Sequence, residues 1–365
     1  MQSKPLTLAS DAGAVALDAA TPGRGTALRE ALQLLDPYMQ DRTITEVCIN
    51  RPGEVYTESN FGWQRHDTPD ASLAWCRKVA QLAATFSEDR INEKTPILSG
   101  VLPGGERVQI VVPPAVEHGT VSVTIRKPSF TTMTREELEG DGLTDEVADQ
   151  LSAFTLDEER LLLLKSERRF WEFFELAVRT KKNIVISGAT GSGKTTLAKT
   201  LLNYIPTHER IITIEDVREI FLPNHGNRVH LLHSAGGSGT SDVTAKELLQ
   251  CCLRQKPDRI LLAEIRSKVA YDYIVNTSSG HPGSITTTHA GTCSEAFEML
   301  MLRVKESDEG RELSRDDIMS LLRAKIDVVI QLQVFDEPGH DGRVRKKRRI
   351  TEVYYDPAFK RTQLV

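Results

Sequence analysis

Eight consecutive residues, Gly188-Ala189-Thr190-Gly191-Ser192-Gly193-Lys194-Thr195, have the types and spacing to hold the phosphates of a nucleotide. Glycines let the backbone turn its N–H groups inward around phosphate oxygens, which Cβ atoms would obstruct. Lys194 can reach the β- and γ-phosphates, and the Thr195 hydroxyl can ligate Mg²⁺. The setting agrees: apolar residues 184–187 precede the loop as a strand. Residues 196–202 follow it as a helix whose positive end faces the anion. The spacing predicts an ATP site built from Gly188 through Thr196.

Hydrolysis needs further groups that orient water and hold metal. Residues 259–263 form an apolar run ending in Glu264, in the manner of a Walker B strand. Glu stands where Asp is commoner, so its contact with Mg²⁺ would run directly or through water. A second apolar run, 211–214, ends in Glu215 and Asp216. Glu215 is the first candidate for the base that orients water, with Glu264 the alternative. His281 and His289 bracket the polar strand 286–288, and both are expected near the nucleotide phosphates.

Several elements must position these groups. From Phe170 onward helical stretches alternate with apolar runs at 183–187, 211–214, 259–263 and 284–288, which predicts a parallel sheet covered on both faces. The preceding region differs. Leu28, Leu32 and Leu35 recur at helical spacing, and Ser72 can cap a helix over 73–87. Strands are expected at 46–50, 55–57, 108–112 and 121–125. The division is therefore a flexible N-terminus (1–26), an α+β N-terminal domain (27–130), a linker (131–169) and an ATPase domain (170–365).

Bulk properties narrow the function. The 365 residues, 39% hydrophobic and 27% charged, fit a two-domain protein of ordinary composition. A net charge of -5 and 6% aromatic residues give little support to nucleic acid as a direct ligand. Five cysteines without Cys-x-x-Cys spacing read as reduced thiols of a cytoplasmic protein, not a disulfide framework or zinc site. No run reaches the ~18–20 apolar residues needed to cross a bilayer, and the first residues lack a signal-peptide pattern. The basic run Arg343-Val344-Arg345-Lys346-Lys347-Arg348-Arg349 reads as a solvated hairpin arm, or as a weak peripheral contact with an anionic membrane.

Together these segments resemble the secretion (traffic) ATPase superfamily, and most closely the hexameric ATPases of type IV secretion systems, the VirB-eleven class. The phosphate loop, Ile212-Thr213-Ile214-Glu215-Asp216-Val217-Arg218-Glu219, Leu262-Ala263-Glu264-Ile265-Arg266 and the segment from Gly280 to Ala290 look like that family's Walker A, Asp, Walker B and His boxes, in order. Residues 102–109 and 122–128 also match, so the resemblance spans about 28–334. It implies an α/β architecture: a RecA-like P-loop C-terminal domain and a smaller α+β N-terminal domain that closes over the nucleotide.

It also implies a homohexameric ring, ATP and Mg²⁺ as cofactors, and partners among the inner-membrane components of a type IV secretion machine. By the family pattern Arg107 and Arg126 reach the γ-phosphate from the N-terminal domain, in cis or in trans. Arg266 senses nucleotide or pairs at a subunit boundary. The implied function is ATP hydrolysis that energises type IV secretion, or conjugative transfer and pilus assembly. The alternatives are a RecA-type nucleic-acid translocase and a nucleotide-gated scaffold with negligible turnover.

Overall fold

The computed structural model describes residues 25–128, 133–145, 147, 154–234, 240–265, 269–278, 280–338 and 343–362. The N-terminal domain is a six-stranded antiparallel sheet made of β1 (Ile44–Ile49), β2 (Glu54–Ser59), β3 (Gly62–Asp67), β4 (Ile97–Val101), β5 (Arg107–Val111) and β6 (Ser122–Arg126). Its spatial order is β3-β2-β1-β6-β5-β4. The helices Thr26–Leu32 and Leu73–Phe86 bring Leu28, Val79 and Ala83 into one core with Val47, Ile110 and Val123 from the sheet. Ser72 caps the longer helix as expected, its hydroxyl accepting the Trp75 N–H at 3.2 Å.

The ATPase domain contains β7 (Ile184–Gly188), β8 (Ile211–Glu215), β9 (Arg228–Leu232), β10 (Arg259–Leu262), β11 (Ile285–Thr288), β12 (Val328–Pro338) and β13 (Val344–Tyr355). Two sheets, ordered β10-β8-β9 and β11-β7-β12-β13, meet where a single bridge links Glu264 to Thr287. All pairings are parallel except β12 with the final strand, β13. Alternation along β7 explains its apolar start, Ile184-Val185-Ile186. Ile184 and Ile186 join Phe173, Phe174 and Leu201 in one core cluster, while Val185 joins Ile212, Ile260 and Leu300 in another.

The segment 131–169, expected as a structured linker with helical patches around Val147 and Leu161, carries helices among its described residues. It contains the helices Arg135–Gly140 and Leu156–Ser166. Thr155 and Glu158 form a capping box at the start of the second helix, which buries Leu161 and Leu164 against Phe173 and Phe174. Packing of the ATPase domain's core thus includes Leu161 and Leu164, ahead of Arg169.

The two domains share a core as well as a polar seam. Val111, Ala115 and Val116 pack with Ile212, Ile214 and Val229, and Val116 bridges Leu231 at the outer edge of β9. At the other end of β8, the fully buried Arg210 fixes the seam. Its guanidinium donates to Asn50 Oδ1 at 2.8 Å, Asn227 Oδ1 at 2.5 Å, the Gln255 carbonyl at 2.9 Å and Thr124 Oγ1 at 3.3 Å.

Candidate active site

The loop after β7 has the form its glycines predict. Gly188 lies where β12 approaches closely: an added Cβ would stand 2.6 Å from the Leu332 carbonyl oxygen. Gly193, at φ 95°, is the left-handed residue that starts the helix Lys194–Leu202. Its N-terminus faces a cavity of about 270 Å³ at the C-terminal edge of the parallel sheet, where ligands of such sheets collect. Thr190, Gly191, Lys194 and Thr195 line this cavity from the loop. Asp216 and Glu219 line it from the segment after β8, Glu264 from the end of β10, and His289 from the end of β11.

Lys194 lies over the loop. Its ammonium donates to the carbonyls of Gly188 at 2.6 Å and Ala189 at 3.1 Å, and stands 3.3 Å from His289 Nδ1. Burial pushes its pKa down, and the charge of Glu264 opposes that shift. The other ring nitrogen of His289 lies 3.5 Å from Glu264 Oε1. His289 therefore links the loop lysine to Glu264. Ser192 is fully buried; Ala189, Thr196 and Ser192 are not among the cavity-lining residues.

Glu215 stands elsewhere than the sequence reading placed it. It is 1% exposed and does not line the cavity beside the loop. One oxygen accepts the Thr213 hydroxyl at 2.7 Å; the other accepts the backbone N–H groups of Glu219 and Ile220, both at 2.7 Å. Burial pushes its carboxyl upward, but hydrogen bonds from His230, Ile220, Thr213 and Glu219 outweigh this and hold it below the usual carboxylate range. A carboxylate so enclosed is an anchor for the segment that carries Glu219 to the cavity. Glu219 escaped notice as a site residue because the strand-end rule selects the first acid after an apolar run.

His281 is also elsewhere. It precedes β11 whereas His289 follows it, so a four-residue strand, ~13 Å long, sets them on opposite edges of the sheet. His281 Nδ1 is 2.8 Å from the Pro257 carbonyl. It lines a second cavity of about 550 Å³ with Arg107, Arg126, Arg254, Lys256 and Glu46. Arg107 and Arg126 are direct cross-strand partners on β5 and β6. Like charges set opposite each other repel, which makes this end of the N-terminal sheet a place for an anion. Glu46 lies 3.5 Å from Arg126, and burial pushes its carboxyl up to about 7 despite that arginine.

Arg266 lies outside the described residues. All five cysteines are buried and unpaired. Among the described residues no helix is long and apolar enough to cross a membrane, and no cluster of three or more His, Cys, Asp and Glu could hold a metal by itself. Within the basic run, Lys347 and Arg349 both pair with Glu337, and Arg348 reaches the phosphate loop.

Comparison with known proteins agrees with this geometry. The model of the family described as type II/IV secretion system protein matches residues 30–338. The type IV secretion system protein VirB11 of Brucella suis is 45% identical over 346 residues, covering 94% of each chain. The PtlH homolog of Bordetella bronchiseptica, also a type IV secretion system protein, is 39% identical over 338 residues, 92% of this chain and 97% of its own. The crystal structure of the VirB11 ATPase from the Brucella suis system, in complex with sulphate, superposes with a TM-score of 0.85, covering 93% of this chain and 98% of that one.

Proposed function

The chain belongs to the type II/IV secretion system protein family and is a type IV secretion ATPase; on that premise we propose that it hydrolyses ATP at the Gly188–Thr195 cavity within a homohexameric ring. The observation that carries the reading is the convergence of Lys194, Thr195, Glu219 and Glu264 on one cavity at a helix N-terminus. Lys194 turns from the loop carbonyls to the β- and γ-phosphates, and its exchange from one set of oxygens to another needs little reorganisation. Thr195 and Glu264 are hard oxygen donors suited to Mg²⁺, with phosphate oxygens completing the shell. When bound, the metal neutralises charge on the transferring phosphoryl group.

Glu219 is the residue we assign to orient the attacking water, held in place through Glu215. Glu264 supports it and is fixed through His289. Arg107 and Arg126 act in trans. They lie at the sheet edge opposite the loop, and the intervening five-residue strand β7 is ~16 Å long. A neighbouring copy can present its γ-phosphate to them, where the permanently charged forks stabilise the transition state. His281 shares that cavity and so also serves the neighbour's nucleotide.

Turnover would energise the inner-membrane components of the secretion machine from the cytoplasmic side, for secretion or for conjugative transfer and pilus assembly. Mixing Lys194→Ala subunits with Arg126→Ala subunits tests the trans arrangement. Each variant alone should be nearly inactive, and the mixture should recover up to about a quarter of wild-type phosphate release, the share of wild-type site pairs in random rings. No recovery in rings shown to be mixed would sink it.

A further inference from the structure

The C-terminal hairpin runs past the end of the phosphate-loop strand. In the pairing of β12 with β7, Leu332 stands opposite Gly188, the last residue of β7. Six further residues of β12, ~20 Å of strand, continue beside the loop with β13 alongside. The hairpin touches the loop region from two sides. Gln331 and Gln333 donate through their amides to the carbonyls of Ala290 and Gly291, each at 3.1 Å, just after His289. Arg348 donates through Nε to the Gly191 carbonyl at 3.0 Å.

Strand alternation divides the basic run accordingly. Lys347 and Arg349 point to one face, where both meet Glu337 and Arg349 also lies over the Phe335 ring. Arg348, between them, points to the other. Its stem passes close to Gly193: a Cβ there would stand 2.9 Å from Arg348 Cδ. The absence of a side chain at Gly193 therefore serves the arginine's approach as well as the loop's left-handed turn.

We propose that Arg348 is a positioning residue of the nucleotide site. By binding the Gly191 carbonyl on the outer side of the loop, it holds Gly191–Gly193 in the form whose N–H groups face phosphate, and it brings the hairpin into register with the nucleotide. This rests on the reading of Gly188–Thr195 as the ATP site. Because a charged donor to a carbonyl is worth more than a neutral one, removing the charge should loosen the loop and weaken nucleotide binding. It should leave the groups around the reacting phosphate in place.

The test measures the dissociation constant of a fluorescent ATP analogue, together with KM and kcat for phosphate release, on the full-length chain. Arg348→Gln should raise the dissociation constant and KM about tenfold, ~1.4 kcal/mol, with kcat within about twofold of wild type. Arg348→Lys, which can still donate a charged hydrogen bond to the carbonyl, should stay within about threefold. Lys346→Gln removes a charge of the same sign from the same face of β13 and should change neither constant. Equal effects of Arg348→Gln and Lys346→Gln would reduce Arg348 to a diffuse charge and overturn the proposal, as would unchanged binding by Arg348→Gln. If the ATP-site reading itself were wrong, wild type would fail to bind the analogue, which separates that failure from this one. Matching ring size and melting temperature of the variants, measured alongside, exclude misfolding as the cause of a weakened constant.

Discussion

Glu215 and Glu219 sit four residues apart in different surroundings, and substituting each by glutamine separates the roles proposed for them. Glu215 is buried and accepts three hydrogen bonds of 2.7 Å. A charged acceptor makes each bond worth about 1.5–3 kcal/mol and a neutral one about 1 kcal/mol. Counting only the two backbone bonds, Glu215→Gln should cost roughly 2 kcal/mol of unfolding free energy. Glu219 is exposed and lines the cavity. Glu219→Gln should change stability by less than ~0.5 kcal/mol but lower kcat by ~100-fold or more, the usual contribution of a positioned general base.

Urea unfolding and steady-state phosphate release, both near neutral pH, are the assays. Glu215→Gln should lose stability and about tenfold in kcat, because Glu219 is no longer held. The pH dependence has a definite sign. A carboxyl depressed in the fold stabilises above its unfolded pKa of ~4.3, and that contribution disappears as pH falls through the lower native value. The stability gap between wild type and Glu215→Gln should therefore close in acid. The reasoning is refuted if Glu219→Gln turns over normally while Glu215→Gln is inactive and fully stable, for then Glu215 would itself be the reacting base.

Two other perturbations probe the seam and the second cavity. Arg210→Met removes a buried guanidinium and orphans its partners on Asn50, Asn227, Thr124 and Gln255. The expected loss is about 3–5 kcal/mol by urea unfolding, with earlier proteolytic release of the N-terminal domain. Glu46, raised to about 7 by burial, favours the folded state below its unfolded pKa of ~4.3, and that benefit is lost as pH rises towards 7. Glu46→Gln, which resembles the protonated acid, should match wild type near pH 4 and exceed its stability by ~1–2 kcal/mol at pH 8, read by thermal or urea unfolding.

The sequence made the phosphate loop legible because glycines, lysine and threonine must occur there at fixed spacing whatever surrounds them. It also disclosed the buried strands β7, β8 and β10, whose double-sided burial leaves largely apolar runs, and β11, a buried but threonine-rich strand. β3 and β4 were missed, since one is exposed along most of its length and the other buries only Leu98. Glu215 and His281 stand away from the loop cavity for a geometric reason. Proximity in sequence to a strand does not say which edge of the sheet a residue occupies, nor whether a carboxylate turns to the cavity or back onto its own loop. Arg348, 157 positions from Gly191, lies within a run whose composition suggests a solvated arm or a weak contact with an anionic membrane, not a place beside the phosphate loop. The register of β12 and β13 alone brings it to the site.

The central claim is that the cavity around Gly188–Thr195 binds and hydrolyses ATP with the chain's own acids. Phosphate release by the purified wild-type chain, set beside Lys194→Ala and Glu264→Gln under saturating ATP and Mg²⁺, tests it most directly. The account predicts steady turnover by wild type, loss of both binding and turnover in Lys194→Ala, and retained binding with turnover reduced at least tenfold in Glu264→Gln. Wild-type nucleotide binding without phosphate release, or turnover undiminished in Lys194→Ala, would contradict it.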